Sequence, residues 1–187
     1  KNESGGRMLQ IQDNRFIYNW IKKSDRYPRY GVVRSSFDVL FEQFCKFVSD
    51  EKLGTIKLNQ WEVTYVNRVP SGPLWKTPKD WGNVVPGLLS PICDYAGALF
   101  ENMNGEWRFE IPPSRGRLHI QLRQQEEQGD DGTPSGVFLI HLTARGPIDE
   151  GCTLGDGLDL GRATIVAVFD EITSAEAHQA WGKQYDL

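Results

Sequence analysis

Near the start of the chain, apolar side chains recur at every second position, the pattern of a strand with one buried face. The period of two is strict at Phe16, Tyr18 and Trp20. A shorter apolar run at residues 8–11 precedes it, and Asp13 and Asn14 separate the two runs. The pattern predicts two strands joined by a tight turn. Between residues 33 and 48 the apolar positions instead recur every three or four residues, which predicts an amphipathic helix.

A third alternation lies in the run QWEVTYVNRVP and predicts a strand that ends at Pro70. Four more prolines lie within residues 71–91, together with Trp75 and Trp81. Because indole rings need a surface to pack on, this segment is predicted to be an irregular crossover and not a flexible linker.

The second half of the chain contains three further alternating runs, at residues 107–111, 118–122 and 137–142. The third run is apolar on both faces, so it is expected to be the central strand of an antiparallel sheet. A helix is predicted over residues 158–171. Residues 173–176 then read as a capping box, with Thr173 as the capping residue of a short last helix.

The order of predicted elements is β-β-α-β, a crossover, and β-β-β-α-α. This order predicts an α+β fold of two β-rich halves, each an antiparallel sheet followed by a helix packed across it. The first half covers residues 1–70, the Pro-rich crossover covers residues 71–91, and the second half covers residues 92–187. We expect the halves to share one compact domain.

The composition is that of a globular protein, with 187 residues of which 39% are hydrophobic and 25% are charged. No run of about 18 apolar residues predicts a membrane helix, so no membrane partner is expected. The start, KNESGGRML, has no apolar segment typical of a signal peptide and no initiator Met, so further residues are expected upstream. The odd number of well-separated cysteines (Cys45, Cys93 and Cys152) predicts reduced thiols in a cytoplasmic protein.

The net charge of −4 is unevenly distributed along the chain. Up to Gly82, 14 Lys and Arg stand against 9 Asp and Glu, whereas from Asn83 onward 7 stand against 16. Such asymmetry is typical of two oppositely charged faces, although two ordinary solvated surfaces would also produce it.

The runs LQIQDNRFIYNW, YPRY, WEVTYVNRVP and FDEITSAEAHQAWG together resemble an uncharacterised, sporadically distributed family of prokaryotic proteins of unknown function. The resemblance covers most of the chain. It implies a bacterial or archaeal source and, from the patchy distribution, an accessory locus such as a defence or toxin–antitoxin region. Family members usually carry another strand upstream, but the resemblance brings no activity, cofactor or catalytic residue.

A basic corner with interleaved aromatic residues follows the second predicted strand. Lys and Arg contact phosphates and exposed aromatic rings stack on bases, so this corner is a candidate nucleic-acid surface. The alternative is a solvated strand-to-helix connection, which the acidic overall charge favours. The corner consists of Trp20, Lys22, Lys23, Arg26, Tyr27, Arg29, Tyr30 and Arg34.

His119 and His141 lie on strands that are expected to pair, and with Asp94 they form a candidate polar site. Such a set resembles a metal site, but no HxxxH or CxxC spacing supports it, and isolated strand histidines usually form local hydrogen bonds. We therefore expect neither a metal nor a cofactor. The Gly-rich segment 155–161 lacks the P-loop lysine and is expected to start a helix that Asp156 or Asp159 caps.

The sequence shows no converging set of acid, base and nucleophile, so it predicts a non-enzymatic protein-interaction or ligand-binding module. The alternatives are an enzyme with a polar site between the two halves, and a nucleic-acid binder that uses residues 20–34. The expected partner is another protein or a second copy of the chain, because the opposite charges favour oriented docking. An exposed Trp75 or Trp81 would anchor such an interface, whereas burial of both rings is the competing interpretation.

Overall fold

A computed structural model of the chain describes residues 6–21, 28–90, 93–128 and 134–182. The fold is α+β, with two antiparallel sheets of two and four strands and four α-helices in the described residues. The chain divides into two compact units, Lys1–Lys57 and Leu58–Leu187.

The first unit contains a β-hairpin followed by a long helix. Strand β1 (Arg7–Gln12) pairs with strand β2 (Arg15–Trp20), as the alternation predicts, and helix α1 (Tyr30–Asp50) follows them. We call this part of the chain the hairpin–helix unit.

Phe16 of β2 joins the hairpin to α1. The centroid of its ring lies 5.2 Å from those of Phe41 and Phe44 and 5.7 Å from that of Phe37. These three phenylalanines belong to the apolar stripe that the sequence predicts for the helix. The hairpin is therefore held against α1 by aromatic packing.

The second unit is built on a four-stranded antiparallel sheet with the strand order β3-β6-β5-β4. Its strands are β3 (Gln60–Pro70), β4 (Gly105–Ile111), β5 (Gly116–Gln128) and β6 (Pro134–Pro147). Strand β6 lies between β3 and β5, which confirms the central position predicted from its two apolar faces.

Strand β3 belongs to the second unit because it pairs with β6 along its whole length, from Gln60 opposite Pro147 to Pro70 opposite Val137. The boundary between the units therefore follows Lys57 and does not coincide with the predicted halves, 1–70 and 92–187. Alternation identifies a strand but does not identify its partner, and this is why the two divisions differ.

One face of this sheet is covered by helix α3 (Leu154–Ile172). The helix approaches the sheet closely at Trp61 of β3. A Cβ atom added at Gly157 would lie 2.2 Å from Trp61 Cδ1, and one added at Gly161 would lie 2.8 Å from Trp61 Cζ3. Only glycine at these two positions leaves room for the indole ring.

The crossover between β3 and β4 also packs on this face. It contains the short helix α2 (Trp81–Val84), and the Trp81 ring stacks on Phe138 of β6 with centroids 4.6 Å apart. Trp75 donates a hydrogen bond from Nε1 to the carbonyl oxygen of Val69 at 3.0 Å. The predicted crossover with packed aromatic rings is therefore present.

The starts of the last two helices differ in detail from the predictions. Helix α3 begins at Leu154, four residues before the predicted start, because Thr153 is its N-cap and Asp156 reciprocates as the N3 residue. Helix α4 (Ala175–Ala180) is capped by the Ser174 side chain, which accepts the amide hydrogen of Ala177, and not by Thr173. Adjacent hydroxyl residues compete for the cap, and sequence alone does not decide between them.

Candidate functional site

Helix α1 carries a second apolar stripe on the side next to its Phe16-facing stripe. Its apolar members are Val32, Val39 and Phe47, which are 51%, 54% and 53% exposed. Ser36 and Gln43 lie between them at intervals of three and four residues, so all five side chains share one helix face. We call these five residues the α1 stripe.

The described residues of the hairpin–helix unit form no enclosed core. None of its described residues, 6–21 and 28–57, is buried, and every residue of the hydrophobic core lies at position 61 or later. Outside the α1 stripe, four more large apolar side chains of this unit are exposed, namely Leu9, Ile11, Ile21 and Leu53. So much exposed apolar surface in so small a unit is typical of a segment that packs against another protein surface.

Two ion pairs lie on the exposed surface of α1. The Arg34 Nε atom donates to both carboxylate oxygens of Asp38, at 2.9 and 3.1 Å, and Lys46 pairs with Asp50 at 2.8 Å. These pairs place opposite charges at i and i+4 on the helix surface. The Arg34–Asp38 pair lies on the side of α1 away from the α1 stripe. Lys46 and Asp50 follow Val39 and Gln43 by seven residues, so the second pair borders the C-terminal end of the stripe.

The structure describes only part of the basic corner that the sequence indicates as a candidate nucleic-acid surface. Lys22, Lys23, Arg26 and Tyr27 lie outside the described residues. Trp20 ends β2, Arg29 precedes α1 and is exposed, and Tyr30 and Arg34 lie in the first turns of α1. Because the carboxylate of Asp38 neutralises Arg34, the described part of the corner has less free positive charge than the sequence suggests. Nucleic-acid binding at this corner stays a prediction.

The two tryptophans that the sequence nominates as interface anchors lie inside the second unit. Trp75 is 3% exposed and Trp81 is fully buried, and their rings contact each other edge to face. Of the two interpretations that the sequence leaves open, the structure therefore bears out burial of both rings. The physical reason is that the covered face of the sheet offers Phe138 and Val69 as partners within reach of the crossover.

His119 and His141 lie on the sheet face opposite α3, which we call the polar face. Thr64 and Thr143 mark this face, since their hydroxyl oxygens meet 2.9 Å apart across β3 and β6. His119 is opposite Thr143 and His141 is opposite Gln121, so the two histidines share the face but are offset by two residues. Such diagonal neighbours lie about 7–8 Å apart.

Asp94 does not join the two histidines. Its carboxylate accepts the amide hydrogen of Phe100 at 2.8 Å and forms an ion pair with Lys79. The hydrogen bond from Lys79, followed by that from Phe100, holds the pKa of Asp94 below its usual value. In the part of the chain that the structure describes, no group of three His, Cys, Asp or Glu side chains is placed to hold a metal ion.

Positive charge surrounds the two histidines of the polar face. Burial, then the charges of Arg145 and Arg108, lower the pKa of His119, and the nearby Glu106 offsets this only in part. Burial, then the charge of Arg123, lower the pKa of His141. Both imidazoles are therefore neutral at pH 7, and the positive potential at this face comes from arginine.

A third histidine forms a polar contact at the junction of α3 and α4. His178 is buried, and its Nε2 atom lies 2.6 Å from Thr173 Oγ1 and 3.5 Å from Asp170 Oδ1. The Thr173 hydroxyl donates to the carbonyl oxygen of Phe169, so its proton is directed to the backbone of α3 and not to the imidazole. This arrangement therefore matches a helix-end contact better than a nucleophile with its base.

Sequence reasoning missed two features of these surfaces. Arg117 and Arg123 alternate with apolar residues along β5, so the run RLHIQLR already indicates which side chains share a face with His119. Val39 and Phe47 fall outside the single helical stripe that was read from the sequence. A search of α1 for a second stripe at the same spacing would have found them.

Within the described residues, no helix is both long enough and apolar enough to cross a membrane. Comparison of the chain with family models, with curated proteins and with solved structures gives no match.

Proposed function

We propose that the chain is a non-enzymatic interaction module, and that its hairpin–helix unit binds a partner protein through the α1 stripe. The observation that carries this proposal is the absence of any buried residue among the described positions of this unit, together with its exposed apolar side chains. A helix with one apolar face packed and a second one exposed is typical of a helix that has two neighbours.

The exposed apolar area of the α1 stripe is large enough for recognition of a partner protein. Full burial of a Val or Phe side chain contributes about 1.5–3 kcal/mol, and the three apolar members of the α1 stripe are each half exposed. Covering them contributes on the order of 2–5 kcal/mol, which is the scale of a central cluster in an interface. Of its two polar members, Ser36 donates its hydroxyl to the carbonyl oxygen of Val32 at 3.0 Å, so Gln43 is the one that would hydrogen-bond a partner.

The partner in this proposal is a second copy of the chain or a different protein with a complementary apolar surface. The unit is basic, since residues 1–57 hold 11 Lys and Arg against 7 Asp and Glu, so an acidic rim on the partner would favour docking. The setting we propose is the cytoplasm of a prokaryotic cell, within an accessory locus such as a defence or toxin–antitoxin region, as the sequence resemblance implies.

The enzyme alternative lacks comparable support. It relies on His119, His141 and a nearby carboxylate, but Asp94 is bound by Lys79 and Phe100 instead. The positive charges of Arg145, Arg108 and Arg123 near these histidines favour the binding of an anion.

Matched substitutions at two exposed helical valines test the proposal. Val39→Glu places a charge in the α1 stripe, and Val166→Glu places the same charge on an exposed position of α3. Tagged chains are purified from the native host, and the stoichiometry and mass of the complexes are measured by sedimentation and mass spectrometry. We expect a complex of fixed stoichiometry, either a dimer or a heteromer, that Val39→Glu dissociates and Val166→Glu leaves intact. A monomer that retains no stoichiometric partner, or equal loss in both variants, would contradict the proposal.

A further inference from the structure

Two arginines of the polar face are placed directly opposite each other in the sheet. Arg117 of β5 pairs in register with Arg145 of β6. Like charges at directly opposed positions destabilise a sheet, because their side chains leave the backbone only about 5 Å apart. A folded protein that keeps this arrangement gains if an anion lies between the two guanidinium groups.

Within the described residues, no carboxylate lies within ion-pair distance of either arginine of this pair. Arg108 and Arg68, which lie on the outer strands of the same face, form ion pairs with Glu106 and Glu127. By contrast, no described carboxylate forms an ion pair with Arg117 or Arg145. Among the described residues, Arg117 and Arg145 therefore have no ion-pair partner, whereas Arg108 and Arg68 each have one.

His119 is a diagonal neighbour of Arg145 and the next outward-facing residue after Arg117. Its side chain is largely buried, and its Nε2 atom forms no hydrogen bond with any residue that the structure describes. A buried polar atom without a partner costs about 1–3 kcal/mol, so such atoms usually have a reason. A ligand oxygen that enters between the exposed ends of the two arginines would supply the missing partner.

The charged residues next to Arg117 and Arg145 indicate the size of the anion. Glu62 is opposite Arg145 on β3, and Glu110 is opposite Arg117 on β4, so each end of this row of four residues is acidic. The second unit is acidic as a whole, with 10 Lys and Arg against 18 Asp and Glu in residues 58–187. A long polyanion would meet these carboxylates, whereas a compact anion would not.

We propose that Arg117, Arg145 and His119 form a binding site for a phosphate monoester group. Guanidinium groups bind phosphate through paired N–H donors, and a monoester carries about −1.5 to −2 charges at pH 7, enough to offset two arginines. The neutral His119 ring donates one further hydrogen bond. The site lies in the second unit and does not depend on the proposed docking of α1.

Inorganic phosphate is the first probe, and the His119 ring is the reporter. The imidazole signals of the labelled full chain are followed by NMR as phosphate is added at constant ionic strength, and His119→Gln identifies the His119 signal. We expect bound phosphate to raise the pKa of His119, because it offsets the charge of Arg145. An unchanged His119 signal at saturating phosphate would overturn the proposal.

Arginine variants separate a built site from general attraction. We expect Arg117→Gln and Arg145→Gln each to weaken phosphate binding about tenfold or more. The matched control, Arg68→Gln, removes an exposed arginine of the same face that Glu127 already pairs, and should change affinity by less than about twofold. Equal weakening in all three variants would show an adventitious ion only. Thermal unfolding of each variant confirms that the fold is retained.

Two further probes distinguish the sources of the phosphate group. Adenosine 5′-monophosphate carries a terminal monoester, and a short single-stranded oligonucleotide without terminal phosphate carries only diesters. We expect the mononucleotide to displace inorganic phosphate and the oligonucleotide to fail to do so, because of the acidic residues at both ends of the row. Displacement by the oligonucleotide at lower concentration would overturn the compact-ligand proposal in favour of strand binding.

Discussion

At the residue scale, two glycines set how closely α3 approaches the sheet. Gly157 and Gly161 face Trp61, a buried side chain that has no free space into which to move. Glycine carries an entropic cost in a helix, so its presence at both positions reflects this contact and not helix propensity.

Gly157→Ala should destabilise the second unit by about 1–3 kcal/mol, because the new methyl group overlaps the indole ring and forces α3 outward. Gly31→Ala is the matched control, since a Cβ atom there meets nothing within 4 Å. That variant should be neutral or stabilise α1 by up to about 1 kcal/mol. Urea unfolding measures both changes, and an equal effect of the two substitutions would argue against the tight contact at Trp61.

The histidines of the polar face make stability depend on pH. The pKa values of His119 and His141 are lowered in the folded chain, so the unfolded chain binds protons more readily below the ordinary value of 6.5. Stability is therefore full above that pH and falls as the pH is lowered from 6.5 towards the folded-state pKa values.

The double variant His119→Gln/His141→Gln should flatten this part of the stability curve, and replacement of the exposed Gln125 by Asn should leave it unchanged. Urea unfolding between pH 5 and pH 8 measures the slopes. A slope that survives in the double variant would assign the pH dependence to other groups.

At the element scale, Phe16 is the contact on which the hairpin–helix unit depends. Its ring contacts three phenylalanines of α1, and the isolated two-stranded hairpin is marginal without such support. The folded conformation of the hairpin–helix unit is therefore expected to depend more on the Phe16 side chain than on the backbone pairing of β1 with β2.

Phe16→Ala should cost about 1–3 kcal/mol, less than in an enclosed core because Phe16 is only half-buried. Amide exchange of β1 and β2 should accelerate, while β3 and β6 keep their protection. Phe47→Ala, which removes an exposed ring of the same α1 helix, should leave the hairpin amides unchanged. Uniform acceleration across both sheets would contradict this account of the unit.

Local patterns predict the elements well, because alternation and helical spacing are properties of neighbouring residues. The hairpin, α1, the central β6 and the crossover with its packed rings all follow from such patterns. The pairing of β3 with β6 does not, since it joins residues 60–70 to residues 137–147, and nothing local in β3 specifies that partner.

In the candidate sites, too, local patterns predict some features and leave others open. The shared face of His119 and His141 follows from alternation once β5 and β6 pair, but Asp94 lies in irregular chain whose position no spacing rule predicts. Trp75 and Trp81 are equally apolar whether buried or exposed, so sequence alone does not separate a core role from an interface role.

At the scale of the whole molecule, the two units differ in both packing and charge. The second unit has its own core and an acidic surface, whereas the hairpin–helix unit has exposed apolar side chains and a basic surface. This asymmetry is the reason why we propose docking for the first unit and small-ligand binding for the second. It also separates the two proposals, because substitutions in one unit leave the residues of the other untouched.

Site-specific photo-cross-linking at position 39 tests the central claim most directly. A photoreactive amino acid replaces Val39 in one chain and Val166 in another, and both are irradiated in living cells of the native host. The account predicts one discrete cross-linked product from position 39, with the mass of two chains or of the chain plus one partner, and none from position 166. A product of single-chain mass only, or the same set of products from both positions, would contradict the claim that the α1 stripe is a protein-docking surface.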